Sequence, residues 1–172
     1  LRSFAARAER LGFAGIWVND HLQSPGRVKR EPAFDALTTL AALAALTRRP
    51  RLGVAVLSAS YRPAALAAKM ATVLDVVSGG RLTVGLGTGS DVAEHRAYGV
   101  PFGTPAERTE GVVRALEVMR AMFASPEGAD LPGALENAPN LPPPVQVAGP
   151  PIWLAAHRRR LLRLAGERAD GI

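Results

Sequence analysis

The feature that most constrains this chain is a regular alternation of short apolar runs with longer segments patterned at the helical period. Gly15-Ile16-Trp17-Val18, Leu52–Leu57, Arg81–Leu86 and Pro151-Ile152-Trp153-Leu154 read as strands. Residues 3–11 place Phe4, Ala8 and Leu11 on one helical face, and Gly12 follows as a stop. Asp35 is positioned to cap a helix carrying Leu37, Leu40, Ala41 and Ala44. Pro63 opens a helix whose inner face is predicted to be Leu66, Met70, Val73, Leu74 and Val77, and Gly79-Gly80 ends it. Thr104-Pro105-Ala106-Glu107 is a capping box, and the helix behind it carries Val112, Leu116, Met119 and Phe123 at core spacing. Leu161, Leu162, Leu164 and Ala165 belong to a last helix, and Asp170-Gly171-Ile172 reads as the start of a fifth strand. Residues 125–149, rich in Pro, Gly, Asn and Ala, read as a loop excursion.

Strands that are apolar throughout, alternating with amphipathic helices, imply a parallel α/β sheet covered by helices. Such a sheet is either open and doubly wound or closed into a barrel. A closed eight-fold barrel takes about 250 residues, and the patterns above supply about five strands. The chain begins on a helix with no strand before it and ends within a strand, so units are expected to be missing at both ends.

Composition narrows the chemistry. There is no cysteine, which excludes disulfides, thiolate catalysis and cysteine-ligated metal sites. No apolar run approaches the roughly 20 residues of a membrane span, so no membrane partner is expected. The net charge of +6 comes mostly from arginine, clustered at Arg48-Arg49-Pro50-Arg51 and Arg158-Arg159-Arg160. No aromatic residue interleaves either cluster, so they read as solvated helix ends rather than a nucleic-acid surface. His21, His95 and His157 have no metal-ligand spacing, and no metal is expected.

Four constellations can carry chemistry. Asp20 and His21 fall just past the carboxyl end of the first strand, the edge where parallel sheets bind ligands. A histidine there can donate to a cofactor or transfer a proton; equally, the pair can be a loop cap and a packed turn residue. Gly85-Leu86-Gly87-Thr88-Gly89-Ser90 lets backbone approach a ligand and adds two hydroxyls. No lysine follows it, so it is not a P-loop, and no helix is expected to open directly after it. Gly53–Ser58 reads as a buried strand. His157, before three arginines, reads as a helix-start residue, and His95 in Glu94-His95-Arg96 reads as a surface residue.

The ordered set LGFAGIWVNDHL, PRLGVAVLSASYRPAALAAKMATVLDVVSGGRLTVGLGTG, EHRAYGVPF, ERTEGVVRALEVMRAMF, PPIWLAA and LRLAGERADGI resembles the bacterial luciferase-like family of flavin-dependent oxidoreductases. The resemblance runs over nearly the whole chain. It implies a (β/α)8 TIM-barrel fold, here one partial barrel domain over residues 1–172. It also implies a cofactor, coenzyme F420 in preference to FMN, at the carboxyl-terminal mouth, and a small-molecule substrate. His21 matches a catalytic histidine beside the ring, and Asp20, next to it, is expected among the cofactor-binding residues. Ala55 and Val56 match a site of a non-prolyl cis peptide that backs the ring. Leu57 and Ser58 follow at the ring edge, and Gly87, Thr88, Gly89 and Ser90 match a bordering loop. The implied chemistry is hydride transfer between an organic substrate and the cofactor. A cytoplasmic protein, homodimeric in its full-length form, is the accompanying expectation. The alternative is a non-catalytic barrel remnant with an assembly or regulatory role.

Three positions depart from the family pattern. Ser90 stands where glucose-6-phosphate-type members have a glutamate. Gln23-Ser24-Pro25 stands where they have a tryptophan. Ala155-Ala156 replaces a glycine pair whose amides receive the cofactor phosphate. Substrate choice is expected in loops 19–34 and 125–149.

Overall fold

The computed structural model describes residues 1–24 and 32–172. Its elements, in chain order, are α1 (Arg2–Arg10), β1 (Gly15–Val18), α2 (Ala36–Leu46), β2 (Arg51–Ser58), α3 (Ala64–Ser78), β3 (Leu82–Gly87), α4 (Val92–Ala97), α5 (Pro105–Ala124), β4 (Ala129–Leu131), β5 (Leu135–Ala138), β6 (Ile152–Leu154) and α6 (Arg159–Arg168). Part of the expected loop 19–34, including Pro25, lies outside the described residues.

The main sheet is all parallel, in the order β1-β2-β3-β6. A doubly wound sheet reverses its order at a switch point, and this one never does. The sheet is also rolled. Three strand spacings of about 4.8 Å would part its outer strands by about 14 Å if it were flat. Yet Trp17 of β1 and Trp153 of β6 stack with ring centroids 5.2 Å apart. Trp17 lies over Gly53, and Trp153 lies against Gly171 on its far side, so the rings meet because the strands converge. Gly171 adds a parallel bridge to Trp153, the start of the expected fifth strand. These features make the sheet an arc of a barrel and reject the open arrangement.

The concave face carries the tryptophans. The convex face carries Ile16, Leu52, Val54, Leu82, Val84, Leu86, Ile152 and Leu154, all buried under the helices. Local signals set the helix ends as expected. Asp35 accepts from the Thr38 amide, Gly79 closes α3 in the left-handed conformation, and Thr104 and Glu107 cap α5 reciprocally. Val112, Leu116, Met119 and Phe123 of α5 are buried.

Several expectations fail for physical reasons. Of the expected inner face of α3, Leu74 is buried, but the rest of that face is Ala67, Ala68, Ala71, Thr72, Asp75 and Ser78. Small side chains let the helix lie close to the sheet. Leu66, Val73 and Val77 point outward, 50%, 43% and 51% exposed. Buried Asp75 is satisfied by the amides of Val145 and Gln146 and by the Gln146 side chain. In α1 Phe4, Ala8 and Leu11 do share one face, but only Ala8 of the three is buried, with Ala5, while Phe4 and Leu11 flank the open edge of β1 with Phe13. The expected last helix does form as α6, with Leu161 and Ala165 buried and Leu162 exposed. The excursion 125–149 is not loop throughout, because β4 and β5 form an antiparallel hairpin turned by Pro132-Gly133-Ala134. Runs so short and polar carry no strand periodicity.

Candidate active site

Every strand of the arc delivers residues to one cleft at its carboxyl end. The cleft has a volume of about 300 Å³. Asn19, Asp20 and His21 enter from the end of β1; Ala55, Val56, Ser58 and Tyr61 from β2 and its loop; Gly87, Thr88, Gly89 and Ser90 from β3; and Ala155 and His157 from beyond β6. The structure thus brings together nine of the ten residues expected at the site. Leu57 is the exception: it is buried in the core and does not line the cleft.

The reason is a bulge. Val54 pairs with Val84, and Leu57 pairs with Leu86, so β2 spends one more residue than β3 over this interval. The extra residue leaves Ala55 and Val56 both at the cleft and returns Leu57 to the convex side. The Ala55–Val56 peptide bond is cis. Bare backbone on β3 makes room for the bulge. A Cβ on Gly85 would sit 2.3 Å from the Val54 carbonyl oxygen, and one on Gly87 would sit 2.5 Å from Val56 Cγ2.

His21 is held from behind by Glu94, a residue the sequence reading passed over. The Glu94 side chain is fully buried. It accepts from His21 Nδ1 at 2.9 Å, Tyr61 Oη at 2.5 Å, the Gln23 amide at 2.9 Å and the Leu22 amide. Burial pushes its carboxyl up, but the hydrogen bonds from Tyr61, His21, Gln23 and Leu22 outweigh burial and hold it below the ordinary glutamate value. A carboxylate only accepts, so His21 carries a proton on Nδ1, and among the described residues Nε2 has no hydrogen-bond partner and can meet a ligand. The Tyr61 phenol is pushed far up, first by burial and then by Glu94.

Asp20 has a different task from direct contact. Its buried carboxylate accepts from the Ser58 amide at 2.9 Å, and both of its oxygens accept from Arg62 Nη1, Oδ1 at 3.0 Å and Oδ2 at 2.9 Å. Arg62 also pairs with Asp35. Burial works against the Arg62 charge, but Asp20 and Asp35 outweigh it and raise its value. One guanidinium therefore ties the loop after β1, the end of β2 and the cap of α2 together.

His95 is not on the surface. It is fully buried on α4, the short helix that starts three residues beyond Gly89, capped by Asp91. The glycines do not open directly into this helix, since Ser90 and Asp91 intervene before it begins at Val92. A signal was present: Asp91 lies three residues before Glu94, a capping spacing, but Glu94 turns to the β1 loop instead of to its own helix. His157 precedes α6 and lines the cleft. The Ala155 amide is engaged by the Leu86 carbonyl at 2.9 Å, so it is not free to receive a phosphate. Among the described residues no cluster could hold a metal ion, and no helix is long and apolar enough to cross a membrane.

The family model for luciferase-like monooxygenases matches residues 1–172. The chain belongs to that family. Among its relatives, the phthiodiolone/phenolphthiodiolone dimycocerosates ketoreductase of Mycobacterium tuberculosis is 35% identical over 189 residues, covering 98% of this chain and 49% of the relative. The F420-dependent glucose-6-phosphate dehydrogenase of Beutenbergia cavernae is 34% identical over 177 residues, covering 99% and 51%. An F420-dependent secondary alcohol dehydrogenase, solved with an F420-acetone adduct, superposes with a TM-score of 0.86 at 23% identity, over 98% of this chain and 51% of that one. That likeness is one of fold. The chain spans about half the length of the curated relatives it matches.

Proposed function

We propose that the protein is an oxidoreductase that transfers hydride between an organic substrate and coenzyme F420, with FMN as the second cofactor choice. The observation that carries this reading is His21, fixed by Glu94 with Nε2 free, on the rim of a cleft whose floor is the Ala55–Val56 bulge and bare Gly87. The relatives, a ketoreductase and an F420-dependent dehydrogenase, support a carbonyl and alcohol pair as the substrate chemistry.

The residues present fit such a group. A flat ring needs a wall with little side-chain relief, and bare Gly87 beside the Val56 side chain provides one. Ala55, Val56, Ser58, Gly87, Thr88, Gly89 and Ser90 would hold the ring, while Asp20 acts through the Ser58 amide it orients. When bound, the cofactor supplies the redox chemistry. The protein supplies position and charge. His21 holds or moves, at Nε2, the proton that accompanies the substrate oxygen, and the Glu94 carboxylate opposes the positive charge that the imidazole gains with it.

The test uses the purified protein with coenzyme F420 and FMN added separately, followed by absorbance and fluorescence. Binding of at least one, with His21→Ala abolishing turnover but retaining binding, is expected. Binding of neither rejects the enzymatic reading.

A homodimer is the proposed assembly. Its support is the outer groove between α2 and α3, lined by Leu37, Ala41, Met70, Val73 and Val77. Apolar surface of this kind, on a pair of helices, suits a second copy meeting it about a two-fold axis.

A further inference from the structure

Behind the cleft runs a chain of three polar side chains, of which only Ser58 belongs to the proposed cofactor site. Ser58 Oγ lies 2.8 Å from Ser60 Oγ, and Ser60 Oγ lies 2.6 Å from His95 Nε2. The His95 Nδ1 lies 2.7 Å from the Asp91 carbonyl oxygen. The ring is fully buried, tilted against Tyr61 at 4.6 Å and edge-on to Phe102 at 4.8 Å, with Arg108 on Phe102. Among the described residues, none of its hydrogen-bond partners is a carboxylate.

We propose that Ser60 and His95 are positioning residues that fix the direction of the Ser58 hydroxyl, so that Ser58 meets a ligand in the cleft as a hydrogen-bond acceptor and selects a ligand N–H or O–H there. This deepens the proposed cofactor site and rests on it for the ligand's identity, but the direction of the chain follows from its own atoms.

A backbone carbonyl only accepts, so the Nδ1 facing Asp91 carries a hydrogen. An imidazole with one proton then offers Nε2 as an acceptor. The hydrogen on Ser60 is committed to it. Ser60 has no second hydrogen to give, so its oxygen accepts from Ser58. The Ser58 hydrogen therefore points away from the cleft, and its remaining lone pair faces inward. Ser58 cannot drift, because its amide is anchored on Asp20. The packing is built around this chain. Gly89 has φ of +70°, and a Cβ there would sit 2.6 Å from Ser58 Oγ and 3.2 Å from His95 Cε1. Any larger residue would displace one end of the relay.

Two measurements on the purified protein test this. Nitrogen-15 NMR of the His95 ring, without cofactor, is expected to find Nδ1 protonated and Nε2 bare at neutral pH. A proton on Nε2 reverses the chain, makes Ser58 a donor and overturns the proposal. Titration with coenzyme F420, and separately with FMN, then compares Ser58→Ala, Ser60→Ala, the double variant and Ser60→Thr. For whichever cofactor binds, Ser60→Ala is expected to weaken affinity about threefold to tenfold, the range of one neutral hydrogen bond. The double variant should be no weaker than Ser58→Ala alone, and Ser60→Thr should retain wild-type affinity. Additive losses, or no loss on Ser60→Ala, overturn the proposal. If wild-type protein binds neither cofactor, the functional reading fails, while the NMR result still decides the direction of the chain.

Discussion

The buried carboxylate of Glu94 accepts a hydrogen bond from Nδ1 of His21 at 2.9 Å, although 73 residues separate the two in sequence. The contact joins the loop after β1 to the helix after β3, so the orientation of the one candidate proton carrier depends on a residue two strands away. Replacing Glu94 by Gln keeps the shape and removes the charge. An amide cannot accept from every one of the four donors that converge there. With coenzyme F420 or FMN bound, turnover is expected to fall roughly 10- to 100-fold with cofactor affinity nearly unchanged. Equal loss of affinity and turnover would show that Glu94 shapes the cleft rather than His21.

The same carboxylate makes stability pH-dependent. Its folded-state value lies below the ordinary 4.5. Ionised Glu94 thus contributes stability that is fully present above pH 4.5 and is lost as pH falls through the folded-state value. Urea unfolding of wild type should show a decline in stability below that point, and Glu94→Gln should show a shallower one. Identical slopes would assign the acid sensitivity to other carboxylates.

Much of this arrangement was legible in the sequence, and the reasons for the misses differ. Apolar runs and caps are local, so the four main strands and the ends of α2, α3 and α5 follow from residues close in sequence. The cleft was legible because its residues sit at strand ends. On α3 only Leu74 of the large apolar residues is buried as expected; Leu66, Val73 and Val77 point outward because Ala67, Ala68 and Ala71 permit the closer approach. The roles of Glu94, Tyr61 and Arg62 are not legible locally, because they depend on partners 27 to 73 residues away. Leu57 was misplaced because a bulge changes which side each later residue faces.

Arg62 is the link between Asp20 and Asp35, and its removal leaves a buried charge without a partner. The Asp20 side chain is completely shielded and that of Arg62 is nearly so. Arg62→Met preserves the apolar stem but not the pairing. Breaking such a pair costs about 3–5 kcal/mol, because the remaining ion is desolvated and unpaired. Chemical denaturation should report a loss of that order, and Asp20→Asn combined with Arg62→Met should recover part of it. A loss below about 1 kcal/mol would mean that water reaches Asp20 and that the pair behaves as an exposed one.

Gly85 and Gly87 should respond differently to the same added methyl. On Gly85 the Cβ meets the Val54 carbonyl oxygen at 2.3 Å, a backbone atom fixed in the ladder. On Gly87 it meets Val56 Cγ2 at 2.5 Å, the end of a side chain at the cleft. Gly85→Ala is therefore expected to lower folding stability by about 1–3 kcal/mol, the range of overpacking. Gly87→Ala should chiefly weaken cofactor binding, since Val56 can yield only toward the cleft. Thermal melts and cofactor titrations on both variants separate the two. A Gly87→Ala protein with wild-type affinity would show that the ring does not lie against this wall.

The outward face of α3 provides the last prediction. Val73 and Val77 lie one helical turn apart and line the groove with α2, next to Leu37 and Ala41. In a two-fold dimer the same patch meets its own copy, so a charge placed there is buried against a like charge. Val73→Glu combined with Val77→Glu should convert a dimer into a monomer, with the fold retained because neither side chain belongs to the buried core. Light scattering coupled to size exclusion gives the mass, and circular dichroism checks the helix content. An unchanged dimer would place the interface elsewhere on the molecule, and a monomeric wild type would refute the homodimer itself.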